Sequence, residues 1–435
     1  MRITRLDAIE VLDSRGNPTV EAWLQLEDGS EGSAMTPSGA STGTNEAVEL
    51  RDEDPRRFGG KGVLKAVQHV RGEIANALVG KDAGDQAALD RRLCELDGTA
   101  NKAQLGANAI LAVSIAYARA VASSRRMPLY RHLGGDDAAL LPVPCLNVIN
   151  GGRHADNTVD FQEYKIVPHH AASFAESIRM GEEVFHALKK LLQAHGLSTG
   201  VGDEGGFAPN LHSNEQAIEL IMEAIEAAGY RPGDDVSLAL DPAASEMWHH
   251  GRYRFFKSNQ SERTSAAMIS LWDDWLQRYP IVLLEDPLAE NDWEGWADIT
   301  RQLGGQVELV GDDIFCTNPT LLQRGIREGV ANSILIKPNQ IGTVTETMDC
   351  AAQAKAAGYG CYVSHRSGET EDTFIADLVV ALGCGHIKTG SGCRGERTAK
   401  FNRLLRIEHE LGERARFAGR AAFVRQAPAG MPVHL

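Results

Sequence analysis

Three carboxylates, Asp241, Glu285 and Asp312, each close a short apolar run, at 236–240, 281–284 and 307–310. A single acid after a strand is usually a helix N-cap or a solvated loop residue. Three in succession are harder to place that way, because crowded carboxylates repel one another and lose hydration. A hard cation resolves the conflict, and oxygen ligands with room left for water and substrate favour Mg²⁺. No His or Cys stands with the three, which argues against zinc. Further runs at 333–336, 361–363 and 386–387 lead into Lys337, His365 and Lys388. An ammonium emerging beside a metal cluster is expected to have its pKa pushed down, which makes Lys337 a candidate general base.

Other candidates sit in bends. Glu204 lies in Val201-Gly202-Asp203-Glu204-Gly205-Gly206, where a turn explains the glycines and leaves the acid free to act. Gln162-Glu163 adds an amide and an acid, and Gly151-Gly152-Arg153-His154 an imidazole, although a lone His is more often structural. His365-Arg366-Ser367-Gly368 and Lys388-Thr389-Gly390-Ser391 bring cationic and hydroxyl donors suited to a phosphate or carboxylate. The small-residue loop 38–43 lacks the Lys of a P-loop and reads as a closing lid.

These residues need a scaffold that presents strand ends together. The six polar run ends are separated by 44, 27, 25, 28 and 23 residues, and most of these intervals suit one strand–helix unit. Such units over roughly 300 residues predict a β/α barrel with its chemistry at the C-terminal strand ends. An open doubly wound sheet lacks its Gly-rich fingerprint here. Ile178, Gly181, Phe185, Leu188 and Leu192 mark a helix stopping at Gly196, and Ser213-x-x-Gln216 is a capping box for another stopping at Gly229. Nearer the N-terminus, 3–12 and 18–26 are strand-like around the turn formers 13–18, which predicts a hairpin. Val63, Val67, Val70, Ile74 and Leu78 recur at helical spacing, and 105–122 forms a second helix. The expected organisation is an α+β capping domain at 1–136, a barrel at 137–425 and a tail at 426–435, whose Pro428 and Pro432 favour disorder.

Composition excludes several classes. Forty-four basic residues against 59 acidic ones give the 435-residue chain a formal charge of −15, which disfavours nucleic acid and anionic membranes. The stretch 105–122 carries Asn108, Ser114 and Arg119, too polar for a membrane span. Seven Cys without a CxxC pair, and no apolar signal-peptide segment near Met1, point to a reducing, cytoplasmic setting. The negative total alone argues against an anionic substrate. Bound cations with Lys337, Arg366 and Lys388 would reverse that locally.

The motifs at 13–21 (Asp-Ser-Arg-Gly-Asn-Pro-Thr-Val-Glu), 38–43, 105–111, 201–206, 364–372 and 387–390 are similar, in order, to those of the enolase family. The resemblance runs along nearly the whole chain. It implies an α+β N-terminal domain on a modified β/α (TIM-like) barrel, assembled as a homodimer or octamer. It also implies dehydration of 2-phospho-D-glycerate to phosphoenolpyruvate, in glycolysis and gluconeogenesis, with two Mg²⁺ per active site. By analogy Asp241, Glu285 and Asp312 hold the first Mg²⁺ and Ser41 helps hold the second. Lys337 would take the C2 proton, a Lys-and-magnesium scheme that is the superfamily's own pattern. Glu204, supported by Glu163, would protonate the departing 3-hydroxyl, with His154 near the leaving group. Gln162, His365 and Lys388, with Glu285 and Asp312, would meet the substrate, and Arg366 with Ser367 its phosphate.

Some positions depart from the family pattern. Arg153 precedes His154 where smaller or acidic residues are common, Tyr164-Lys165 replaces Phe-Met, and Pro242 replaces Val or Cys after Asp241. Residues 390–395 read Gly-Ser-Gly-Cys-Arg-Gly in place of Gly-Ala-Pro-Cys-Arg-Ser. None removes a catalytic group, but they leave room for a paralogue such as a carboxyphosphonoenolpyruvate synthase of phosphinate pathways. A non-catalytic or moonlighting binding protein, such as a plasminogen receptor using C-terminal lysines, fits less well. The chain ends in Leu435 and every ligand, base and acid survives.

Overall fold

The turn formers at 13–18 act as their types dictate. In the computed structural model, which describes residues 1–40 and 42–423, they reverse the chain between β1 (Ile3–Leu12) and β2 (Pro18–Leu26). Ser41, nominated for the second Mg²⁺, and the expected tail 426–435 lie outside the described residues. The two strands pair antiparallel from Ile3 opposite Leu26 to Leu12 opposite Pro18, and β3 (Glu31–Met35) joins the edge of β2. The apolar run 105–122 becomes α1 (Ala107–Ser124), laid across β2 and β3. By length and composition α1 could cross a membrane, yet 83% of it is buried inside the protein. The valine periodicity yields a helical run from Leu64 to Leu78, whose middle, Val70–Ile74, winds as a π-helix.

Eight strands close the second unit into a barrel: β4 (Val143–Asn150), β5 (Glu163–Val167), β6 (Ser237–Asp241), β7 (Ile281–Glu285), β8 (Glu308–Gly311), β9 (Ser333–Ile336), β10 (Gly360–Ser364) and β11 (His386–Lys388). The barrel differs from a uniform strand–helix repeat at its start. β5 runs antiparallel to both β4 and β6, while the other neighbouring pairs are parallel. Two helices then follow in tandem, α2 (Phe174–Ala194) and α3 (Asn214–Ala227). The long 44-residue interval is explained by an inserted three-stranded hairpin unit between Trp248 and Arg263, ahead of the helix Ser265–Arg278.

The predicted caps form. Ser213 Oγ accepts from Gln216 N at 3.1 Å, and Gln216 Oε1 accepts in return from His212 N at 2.7 Å, one residue outside the usual capping box. Inside the barrel, Val143, Cys145, Val167, Ala239, Leu283, Val310, Leu335 and Tyr362 form the apolar filling beneath the mouth. The two units are pinned together by charge. Arg119 of α1 donates to both Asp372 oxygens at 2.6 and 2.8 Å, and Lys102 pairs with Glu346 at 3.0 Å.

Close approach sets one glycine. A Cβ on Gly32 of β3 would stand 2.1 Å from Ala116 O and 2.5 Å from Ala120 N on α1. Backbone cannot yield there without lifting the helix from its sheet. Gly32→Ala is expected to destabilise the protein by about 2 kcal/mol, the usual scale of overpacking, read by denaturant unfolding.

Candidate active site

Each parallel strand delivers its last residue, or the one or two after it, to the same rim. β6 ends in Asp241, β7 in Glu285 and β11 in Lys388, while Asp312, Lys337 and His365 immediately follow β8, β9 and β10. Antiparallel β5 instead begins at the rim, so its first residue, Glu163, pairs in register with Asp241. A small cavity opens there, lined by His154, Gln162, Glu163, Glu204, Asp241, Lys337, His365, Arg366, Ser367 and Lys388. All ten were nominated from the sequence.

The nominated metal ligands fall in two buried groups of carboxylates. Asp241 and Glu285 meet, but their third neighbour is Glu163, with oxygens within 4.8 Å of one another. Asp312 belongs to a second buried group with Asp286 and Asp313. Lys388 Nζ sits in the first group, donating to Glu285 Oε1 at 2.5 Å, Glu163 at 3.1 and 3.2 Å and Asp241 at 3.4 Å. Lys165 Nζ reaches the same group from deeper in the barrel, at 2.6 Å from Glu163 Oε2 and 3.0 Å from Glu285 Oε2. Burial pushes the Glu285 carboxyl up, but Lys165 and Lys388 outweigh it and hold it well below the usual range. Asp241 is raised well above that range by burial and by the charge of Glu285. Burial pushes both lysines down; their carboxylate partners outweigh it and keep both above the ordinary value.

The expected lowering of Lys337 is not found. Its Nζ pairs with Asp312 Oδ2 at 2.5 Å. Burial pushes the ammonium down, yet the Asp312 charge overrides it and the net shift is upward. Gln340 holds the other Asp312 oxygen at 2.8 Å.

A third buried group in the cavity wall is His154, Glu163 and Glu204. Asn147 donates to Glu204 Oε2 at 3.0 Å, while His154 Nδ1 lies 3.6 Å from Glu204 Oε1. Glu163 is raised by burial first and then by the charge of Glu204. Burial also pushes Glu204 up, but His365 and His154, when protonated, pull it well below the ordinary range. His365 itself is pushed down to about 3, chiefly by burial. Near neutral pH its ring is therefore an uncharged partner, 3.4 Å from Glu204 Oε2, and exerts no such pull.

Arg366 is held by Glu46 of the first unit at 2.9 and 3.1 Å and by Asn339 at 3.1 Å. Ser367 Oγ accepts from Ala40 N at 2.7 Å, which docks the nominated lid loop onto the barrel rim. Several site residues were not nominated. Fully buried Arg397, from the helix Gly395–Leu411, donates to His365 Nδ1, Arg366 O and Ser367 O, each at 2.6 Å, and to Asp203 O at 3.0 Å. Asn147, Glu46 and Gln340 carry no strand-end signal either. Lys165 was visible only as a departure, although its place two residues after Glu163 puts both on one strand face.

A family model for the enolase N-terminal domain matches residues 3–133, and one for the enolase C-terminal TIM barrel domain matches 138–426. The chain is 63% identical over 423 residues to Enolase 1 of Chlorobaculum tepidum, covering 97% of this chain and 99% of that protein.

The His365 shift has a signed consequence. An unfolded His takes a proton near 6.5 and the folded one only near 3, so the unfolded chain binds the extra proton as pH falls. The stability from keeping this ring neutral is present above pH 6.5 and is lost progressively from there toward 3. His365→Gln is expected to flatten the loss of stability between about pH 6.5 and 4 in denaturant titrations. An unchanged slope contradicts the assignment.

Proposed function

The chain belongs to the enolase family and is a lyase with that family's activity, and we propose how its residues carry the dehydration of 2-phospho-D-glycerate to phosphoenolpyruvate. The observation that carries the assignment of roles is the shared cavity. Lys337, paired with Asp312, lines it together with Glu204, Glu163, His154 and Lys388.

The donor set fits a hard divalent cation. Glu163, Asp241 and Glu285 offer only oxygen, all three are buried, and Gln162 Oε1 beside them is buried without a donor. In this reading Asp241, Glu285 and Asp312 hold the first Mg²⁺ and Ser41 contributes to the second. Bound Mg²⁺ supplies electrostatic stabilisation of the charge that builds on the substrate carboxylate.

Lys337 takes the C2 proton at Nζ. It can do so only after giving up Asp312, when burial, with the charges of Arg366 and Lys388, pushes its ammonium down against Glu285. Glu204 delivers a proton to the departing 3-hydroxyl from its Oε1, since Asn147 occupies Oε2. Glu163, raised by burial and by its neighbour, is the store from which that proton is replaced. His154 lies against both acids, 3.6 Å from Glu204 and 4.0 Å from Glu163. Arg366 and Ser367 receive the phosphate, with Arg397 fixing the backbone that carries them and Glu46 keeping the guanidinium paired until substrate arrives. Lys388 meets the substrate carboxylate. Ala40, docked on Ser367, helps exclude water. The same reading places the protein in glycolysis and gluconeogenesis in the cytoplasm, as a homodimer or octamer.

The test is phosphoenolpyruvate formation from 2-phosphoglycerate with Mg²⁺. Turnover is expected to vanish on chelation and return with added Mg²⁺. Negligible turnover by folded, metal-loaded protein would sink the reading and leave the carboxyphosphonoenolpyruvate synthase paralogue. Lys337→Ala is expected to cut turnover by ~10²–10⁴-fold with the fold intact, and to stop deuterium washout from substrate C2. Continued washout would mean that another group is the base.

A further inference from the structure

Lys165 is fully buried inside the barrel, yet it does not line the cavity. It points inward from β5, between Glu163 at the rim and Val167 in the apolar filling. Its backbone sits in register with Asn147 on β4 and Ala239 on β6. Nζ therefore approaches the carboxylate ring from below, where water and substrate do not reach. There it takes Glu163 Oε2 at 2.6 Å and Glu285 Oε2 at 3.0 Å.

From the cavity side Lys388 holds the other Glu285 oxygen, Oε1, at 2.5 Å, and both Glu163 oxygens at 3.1 and 3.2 Å, sharing Oε2 with Lys165. Glu285 is thus divided between two ammonium groups, one exchangeable and one sealed in. A cation entering from the cavity can displace Lys388 from Oε1. It has no path to displace Lys165 from Oε2.

We propose that Lys165 is a positioning residue that restricts Glu285 to a single metal-facing oxygen, and that its fixed charge tunes the ring to bind divalent cations weakly enough to exchange. The inference rests on the assignment of Glu285 as a metal ligand made above. Its electrostatic half follows from the charge count. In the fully ionised ring that a cation would bind, two ammonium groups against three carboxylates leave one negative charge uncompensated, and removing Lys165 leaves two. The attraction on an entering cation rises accordingly.

Lys165→Met keeps the side-chain length and removes the charge. Calorimetric titration of the metal-stripped protein with Mg²⁺ is expected to show binding at least about tenfold tighter in Lys165→Met than in the wild type, the effect of deleting a nearby like charge. Lys165→Arg, which retains the charge, is expected to stay within about threefold. A residue that only filled space would give no tightening. Unchanged or weaker Mg²⁺ binding in folded Lys165→Met overturns the proposal. Should that variant not fold, a crystal structure of the wild type with Mg²⁺ and phosphoglycerate decides. Lys165 Nζ within hydrogen-bond reach of Glu285 Oε2, with only the other oxygen on the metal, supports the proposal. Glu285 bound through both oxygens, or Lys165 turned away, overturns it. A wild type that takes up no Mg²⁺ defeats the metal assignment itself, and this inference with it.

Discussion

Glu163, Asp241 and Glu285 bring three carboxylates within 4.8 Å of one another, none more than 3% exposed, and such charges cannot stand unpaired in a protein interior. The barrel meets this constraint with Lys388 from the rim and Lys165 from below. Removing one partner of a buried pair typically costs about 3–5 kcal/mol, so the five groups stand or fall together. The ring also dictates a peculiarity of the topology. Because β5 runs against its neighbours, its first residue rather than its last reaches the mouth, and Glu163 comes level with Asp241. A parallel strand with this sequence would send Glu163 to the far end.

Everything else in the site is arranged around the ring. Lys337 pairs with Asp312, and His154 lies against Glu204, so the proposed base and the proposed acid line the same small cavity with separate partners. The first unit is more than a cap: Glu46 pairs with Arg366, and Ala40 N donates to Ser367 Oγ. Arg397 ties the 365–367 segment and Asp203 to one guanidinium, so a shift in either is felt by His365.

Much of this was legible because parallel strands speak plainly. A short β-branched run ending in a polar residue places that residue at the mouth, and Asp241, Glu285, Asp312, Lys337, His365 and Lys388 all follow the rule. β4 and β5 broke it. β4 is buried throughout and shows no alternation, while β5 carries Glu and Lys on its inner face and resembles no core strand. Strand-end position also says nothing about which way a side chain turns, so it does not reveal that Glu163 meets Asp241 and Glu285, or that Asp286 and Asp313 crowd Asp312. The direction of the Lys337 shift needed the Asp312 ion pair, a contact between residues 25 apart in the chain. Arg397 and Glu46 act from a helix and a coil, where residue type alone marks no function.

The central claim is that proton removal and proton delivery belong to separate groups, Lys337 and Glu204. Glu204→Gln separates them most directly, by following substrate C2 exchange in D₂O alongside phosphoenolpyruvate formation with Mg²⁺ present. The account predicts that C2 deuterium exchange persists while phosphoenolpyruvate formation is lost. Loss of both, or retention of both, would contradict it.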